Sequence, residues 1–90
     1  MILLDALGRR WAMRVLWELS AGPRTFRALR DASDDVSPSV LSARLAELRG
    51  LRLVELGDDG YRLSRDGEEL VRLFGPLDRF ARRWAAGRGE

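Results

Sequence analysis

The fold is decided by residues 36–48, which read Val-Ser-Pro-Ser-Val-Leu-Ser-Ala-Arg-Leu-Ala-Glu-Leu. Ser37 is a favoured helix N-cap, and Pro38 follows at the first helical position, where its fixed φ and missing N–H do no harm. Three leucines spaced four and three residues apart share one face of this helix: Leu41, Leu45 and Leu48. The stretch therefore predicts an amphipathic helix with a buried leucine face and a small, polar outer face.

The residues before this stretch predict two more helices. An apolar stripe at helical spacing indicates a helix over residues 9–20, which Gly8 separates from a short lead-in. Residues 21–23, Ala-Gly-Pro, end it, since Gly and Pro are typical beyond a helix C-terminus. Thr25 can cap a second helix from residue 26 to about residue 32, and residues 33–36 form the turn before Ser37.

The residues after it predict a hairpin and a final helix. Residues 53–56 and 61–63 are expected to be strands, because Gly-Asp-Asp-Gly at 57–60 is a typical hairpin tip. Ser64 caps a helix to about residue 86, which Pro76 is expected to kink. Its apolar positions follow a coiled-coil-like spacing: Leu70, Phe74, Leu77, Ala81 and Trp84.

This order of elements predicts one domain over residues 1–90, mainly α with a small β-hairpin. It is a winged helix-turn-helix with a long C-terminal dimerisation helix. The final helix is longer than so small a core needs, and Met13 and Trp17 form a second apolar row on the first main helix. Terminal helices over 1–20 and 64–86 are therefore expected to hold a homodimer.

Composition excludes several classes of site. The chain has no Cys and no His, so disulfides, thiolate metal sites and redox-sensing thiols are ruled out, and the commonest general base is missing. All sixteen basic residues are Arg, yet the net charge is only +2, which gives nucleic-acid binding mild support. We predict no enzyme, no metal and no cofactor. The acidic pairs at 34–35 and 58–59 lack the further oxygen ligands of a calcium loop and are interpreted as turns.

No apolar run reaches the roughly 18 residues of a membrane span, and Asp5 interrupts the apolar N-terminus too early for a signal peptide. The expected location is the cytoplasm, without membrane association.

Four segments resemble the HxlR-type family of bacterial winged helix regulators, within the broader MarR-like superfamily: residues 10–19, 22–30, 36–48 and 61–70. The run Ser-Pro-x-Val-Leu-Ser-x-Arg-Leu-x-Glu-Leu at 37–48 is the most specific of them. The resemblance spans about residues 7–85. It implies a sequence-specific, double-stranded DNA-binding transcriptional regulator, expected to be a repressor, which acts as a homodimer and places its third helix in the major groove.

Candidate DNA contacts follow from the resemblance and from the helical phase of residues 37–49. Base edges and phosphates are expected to meet Arg24, Thr25, Arg27, Ser37, Ser39, Ser42, Ala43, Arg44, Arg49 and Arg62. Ala46 and Glu47 also face outward. Arg82, Arg83 and Arg88 either grip DNA or form a solvated helix end whose cations suit the C-terminal dipole.

A second set of residues is assigned to a dimer interface or a pocket for a small aromatic effector: Trp11, Met13, Trp17, Phe74, Leu77, Phe80 and Trp84. The dimer is the favoured interpretation, because aromatic side chains dominate interface energetics.

The sequence departs from the family pattern in ways that favour an alternative. Asp58 and Asp59 place negative charge at the wing tip, and Ser39 and Ala43 shorten the recognition face. Arg52 stands where the family has its helix-ending glycine, so this helix end is expected to differ locally. The alternative function is a winged-helix protein-interaction or ligand-sensing module with weak or lost DNA binding.

Overall fold

The computed structural model describes residues 2–87, so Arg88 lies outside the described residues. In chain order the elements are α1 (Ile2–Leu7), α2 (Ala12–Leu19), α3 (Phe26–Ala32), α4 (Pro38–Gly50), β1 (Val54–Gly57), β2 (Gly60–Leu63), α5 (Arg65–Arg72) and α6 (Phe74–Gly87). Helices, then a two-stranded hairpin, then helices again make the predicted winged helix-turn-helix, mainly α with a small hairpin. Within residues 2–87 no helix is long and apolar enough to cross a membrane.

Three hydroxyl side chains start three of the helices, as the sequence predicts. Thr25 Oγ1 accepts a hydrogen bond from the Ala28 N–H at 3.1 Å, at the start of α3. Ser37 Oγ accepts from the Val40 N–H at 3.2 Å, and Ser64 Oγ accepts from the Gly67 N–H at 3.0 Å. Each bond satisfies a backbone donor that has no partner within its own helix.

The core lies between α2, α3, α4 and the hairpin. The leucine face of α4 is completely buried, as predicted: Leu41, Leu45 and Leu48. It packs in one cluster with Val15, Leu16, Leu19, Leu29, Val36, Val54, Leu63 and Phe74. Each of these large side chains stabilises the fold by about 1.5–3 kcal/mol through burial alone, so the core fixes the orientation of α4.

The hairpin is anchored to the helices through its second strand. β1 and β2 pair antiparallel from Val54↔Leu63 to Gly57↔Gly60, within one residue of the predicted strand limits. Arg24, in the connection between α2 and α3, exchanges two backbone hydrogen bonds with Tyr61 at 2.8 and 2.9 Å. The end of the hairpin next to its tip is therefore held against the start of α3.

Two predicted helices have different limits. The first main helix starts at Ala12 rather than near residue 9, because Trp11 adopts a left-handed φ of 76° immediately before it. The long C-terminal helix is present as α6, but it does not run continuously from Ser64. The helix is interrupted at Leu73, whose N–H donates to the carbonyls of Leu70 and Val71. Pro76 then falls in the first turn of α6, where its missing N–H costs no intrahelical bond.

Candidate nucleic-acid interface

The side of α4 opposite its leucine face lies at the surface. Ser39, Ser42 and Ala46 are exposed, while Ala43 and Glu47 are half-buried. We call these five residues the outer face of α4. Its side chains are short except for Glu47, so the groove of a duplex could approach the helix backbone closely over about two turns.

Two of the predicted contact residues are helix caps. The hydroxyls of Thr25 and Ser37 accept backbone hydrogen bonds at the starts of α3 and α4. Ser37 Oγ also lies 3.4 Å from Ser39 Oγ. These hydroxyls are exposed but already serve the local fold, so their first contribution is to the geometry of the two helices.

Arg27 and Arg49 have exposed side chains, and neither has a side-chain hydrogen bond or ion pair within residues 2–87. Arg27 projects from the first turn of α3 and Arg49 from the last turn of α4. These two guanidinium groups are available to phosphate oxygens, which accept their planar donors in pairs.

The other three predicted arginines are engaged inside the molecule. Arg24 Nε donates to the carbonyl oxygen of Glu18 at 3.0 Å, and its Nη2 lies 3.8 Å from that residue's carboxylate. Arg44 Nη1 donates to Glu47 at 3.1 Å, and Arg62 Nε donates to Glu55 at 3.3 Å. The Arg44 side chain is only 15% exposed, and its buried Nε has no hydrogen-bond partner among the described residues.

These ion pairs explain why the interface is less basic than its arginine content suggests. The Arg44–Glu47 pair has the i,i+3 spacing of a helix-surface pair, which the sequence could have shown. Glu18 comes from α2 and reaches Arg24 only through the tertiary fold, so sequence spacing could not reveal it. Glu47 also lies 3.7 Å from Arg9, which ties the residues after α1 to α4.

The hairpin tip is acidic and exposed at Asp58 and Asp59, as expected from the sequence. In the other acidic turn, Asp35 adopts a left-handed φ of 57°. Negative charge at the tip opposes close approach to phosphate. The helices rather than the tip therefore provide the surface suited to nucleic acid.

A second surface lies between α2 and α6. It is a groove of about 510 Å³ lined by Met13, Trp17, Phe74, Gly75, Leu77, Asp78, Ala81 and Arg82. We call it the α2–α6 groove. Phe80 and Trp84 lie outside this lining, about half-exposed on α6. Trp11 packs elsewhere, against the core, with the Arg10 guanidinium 5.6 Å from its ring centre.

The structure thus brings four of the seven residues predicted for a dimer interface or pocket into one groove: Met13, Trp17, Phe74 and Leu77. Phe74 is buried, whereas Trp17 and Leu77 are each 53% exposed. A row of large apolar side chains open to water is unusual for a monomer, so the α2–α6 groove is a candidate contact surface.

Comparisons with known proteins find relatives both in sequence and in structure. An uncharacterised HTH-type transcriptional regulator from Methanocaldococcus jannaschii is 24% identical over 88 residues, covering 93% of this chain and 83% of the relative. The quinone-bound YodB from B. subtilis has a similar structure, with a TM-score of 0.85, 27% identity, and coverage of 90% of this chain and 92% of that one. A possible HxlR family transcriptional factor from Thermoplasma volcanium gives a TM-score of 0.81 and 25% identity, covering 93% and 82%.

The family model for the HxlR-like helix-turn-helix matches residues 6–88, which includes α2 to α6, the hairpin and the outer face of α4. The chain belongs to the HxlR-like helix-turn-helix family of transcriptional regulators.

Proposed function

We propose that this regulator is a cytoplasmic repressor that binds double-stranded operator DNA as a homodimer. The observation that carries the proposal is the outer face of α4, which is open to solvent while the leucine face behind it is locked into the core. A helix held in this way can enter a major groove about 12 Å wide. Bound at a promoter, the dimer would block access to it.

Within this proposal, Ser39, Ser42 and Ala43 meet base edges, because they lie on the outer face of α4. Arg27 and Arg49 meet phosphates on either side, since their guanidinium groups have no partner within residues 2–87. Arg24, Arg44 and Arg62 contribute less, because each would first have to leave an acidic partner.

The dimer is proposed to form through the exposed apolar side chains of α2 and α6. Trp17, Leu77, Phe80 and Trp84 are each 51–53% exposed. Two copies related by a two-fold axis would present two α4 helices to half-sites roughly 34–36 Å apart. The two-fold symmetry of the dimer would make the operator a palindrome.

The deciding experiment is a fluorescence-anisotropy titration at low and near-physiological salt. It compares the DNA upstream of the protein's own gene with a scrambled duplex of equal length. We expect tighter binding to the upstream DNA, and that preference should persist at the higher salt. Equal, salt-sensitive binding to both duplexes, or no binding, would contradict the proposal and favour a protein-interaction module.

Arg27→Ala should weaken binding to both duplexes and lower the slope of log K against log salt concentration by about 0.9 for each phosphate that the variant no longer neutralises. The free energy of unfolding should stay within about 0.5 kcal/mol of the wild-type value, because the Arg27 side chain is exposed. Arg72→Ala is the matched control, since Arg72 is an exposed arginine on α5, away from the outer face of α4. An unchanged slope for Arg27→Ala would remove this residue from the interface.

A small aromatic effector is a second candidate function for the α2–α6 groove. The groove is mainly apolar, it presents the Trp17 ring, and the neighbour YodB has been captured with a quinone. Because this chain has no cysteine, any such ligand would bind without a thiol bond. Quinones added to the protein should quench tryptophan fluorescence in the wild type and much less in Trp17→Phe. Equal quenching in the wild type and in Trp17→Phe would exclude this groove as the quinone site.

A further inference from the structure

A groove runs between the C-terminal end of α4 and strand β1. It measures about 630 Å³ and is lined by Ala46, Arg49, Gly50, Arg52, Val54, Glu55 and Leu56. We call it the α4–β1 groove. Because Ala46 also belongs to the outer face of α4, the groove adjoins the surface proposed to meet the bases.

The two arginines of this groove carry uncompensated charge. Arg49 and Arg52 are exposed, and neither guanidinium has a hydrogen bond or ion pair within residues 2–87. The carboxylate of Glu55, which also lines the groove, is held by Arg62 Nε at 3.3 Å across the hairpin. The groove is therefore a locally positive channel in a molecule whose net charge is only +2.

Arg52 occupies a backbone conformation that does not suit it. Its φ is 61°, in the left-handed region that glycine adopts without strain. Helix α4 ends there with the two bonds of a Schellman motif: the Arg52 N–H bonds to the Arg49 carbonyl at 2.9 Å, and the Leu53 N–H bonds to the Leu48 carbonyl at 3.0 Å. The sequence predicts that this helix end differs from the family pattern. The hydrogen bonds of the helix end are regular, and the difference is the strained backbone of Arg52.

Stability alone does not account for an arginine at this position. A buried partner could have offset the strain, but the Arg52 side chain has none within residues 2–87. Strained residues of this kind cluster where a side chain is needed for binding.

We propose that Arg52, together with Arg49, holds a phosphate of the DNA backbone in the α4–β1 groove. The proposal rests on the DNA binding proposed above and adds Arg52 as a phosphate-binding residue. Guanidinium groups bind phosphate through paired N–H donors, and two at one groove fix the position of a strand. A DNA strand bound in this groove lies near the base of the hairpin, so it can stay away from the acidic tip at Asp58 and Asp59.

The test uses Arg52→Gly, which removes the guanidinium and the backbone strain together. We expect a protein that melts at a higher temperature than wild type but binds DNA more weakly. The slope of log K against log salt concentration should fall by up to about 0.9 for each protomer, or up to about 1.8 for a dimer, because Arg49 alone neutralises the phosphate less completely. The weakening should be similar on the upstream and scrambled duplexes, because binding to a phosphate carries no sequence information.

Two further variants complete the design. Arg52→Lys should retain the wild-type salt slope, because an ammonium still neutralises a phosphate. Arg72→Ala should leave the slope unchanged. If the wild type binds DNA and Arg52→Gly binds with an unchanged slope, or if the slope of Arg52→Lys falls as far as that of Arg52→Gly, the assignment of Arg52 is wrong while the proposed function stands. Wild-type protein that binds neither duplex would overturn both.

Discussion

At the scale of single residues, the end of α4 has an arginine at the position that suits glycine and a glycine within the helix, where other residues are more stable. Arg52 takes the left-handed position that suits glycine, and Gly50 lies two residues earlier in the last helical turn. A non-glycine residue in the left-handed region costs about 1–2 kcal/mol. Arg52→Gly should therefore raise the free energy of unfolding by about 1 kcal/mol, which corresponds to roughly 4–8 °C in Tm for a domain of this size.

Gly50→Ala should also stabilise the end of α4, through a different effect. A Cβ at Gly50 would have no neighbour within 4 Å, so alanine adds helix propensity without a clash. We expect a gain of about 0.5–1 kcal/mol. Thermal and urea denaturation of both variants, at one protein concentration, would measure the two effects. A Tm at or below the wild-type value for Arg52→Gly would show that Arg52 makes a stabilising interaction that outweighs its strain.

At the scale of elements, α5 is joined to the hairpin at Gly67. This residue is buried in the first turn of α5, and a Cβ there would clash with the Leu53 carbonyl oxygen and lie 3.3 Å from Leu63 Cδ2. The Leu53 carbonyl is itself held by the Ser64 N–H at 3.0 Å, so the backbone has little room to move. Gly67→Ala should destabilise the fold by about 1–3 kcal/mol despite the better helix propensity of alanine.

The matched control is Gly75→Ala in α6, where an added Cβ would meet nothing closer than the Arg79 Nη1 at 3.5 Å. Urea denaturation should show the midpoint of Gly67→Ala falling while that of Gly75→Ala stays or rises. Equal behaviour of the two variants would mean that α5 can shift away from the hairpin without losing its packing.

The elements that the sequence predicted well are those with local signals. Thr25 and Ser37 cap α3 and α4 where expected, and the leucine spacing identified the buried face of α4. The break at Leu73 was missed because the apolar spacing continues across it, and Pro76 is equally compatible with a kink or with a first turn. The left-handed Trp11 has no local signal, because tryptophan is not a residue that favours that region.

For the candidate interface, the sequence could predict which residues lie at the surface, but not which of its arginines are held in ion pairs. Helical phase placed Ser39, Ser42 and Ala43 at the surface. It could not show that Arg24 turns back to Glu18. Helical phase gives the direction of a side chain, whereas its ion-pair partner depends on which other elements the fold brings near. The significance of Arg52 likewise required its backbone conformation and its place in the α4–β1 groove.

At the scale of the whole molecule, the two candidate surfaces are built from different elements. The outer face of α4 and the α4–β1 groove belong to the helix-turn-helix and the hairpin, whereas the α2–α6 groove combines α2 with the last helix. Arg14 links α2 to α3, since its Nη2 donates to the Ala32 carbonyl at 2.8 Å while its Nε pairs with Glu18 at 2.8 Å. A partner that moves α2 would therefore also move the C-terminal end of α3, which leads into the turn before α4.

This arrangement would make the proposed dimerisation separable from folding, and Leu77→Glu tests it. Leu77 is 53% exposed in the single chain, so a carboxylate there would leave the core intact but would be buried unpaired if a second copy covered it. Sedimentation should show a monomer with unchanged circular dichroism. Its affinity for the upstream duplex should fall because the two protomers that contact the two half-sites are no longer held together. Leu56→Glu, at a leucine that is 50% exposed on β1, should still sediment as a dimer. A dimer that persists in Leu77→Glu would place the interface elsewhere, and the apolar α2–α6 groove would then favour the effector site over the dimer.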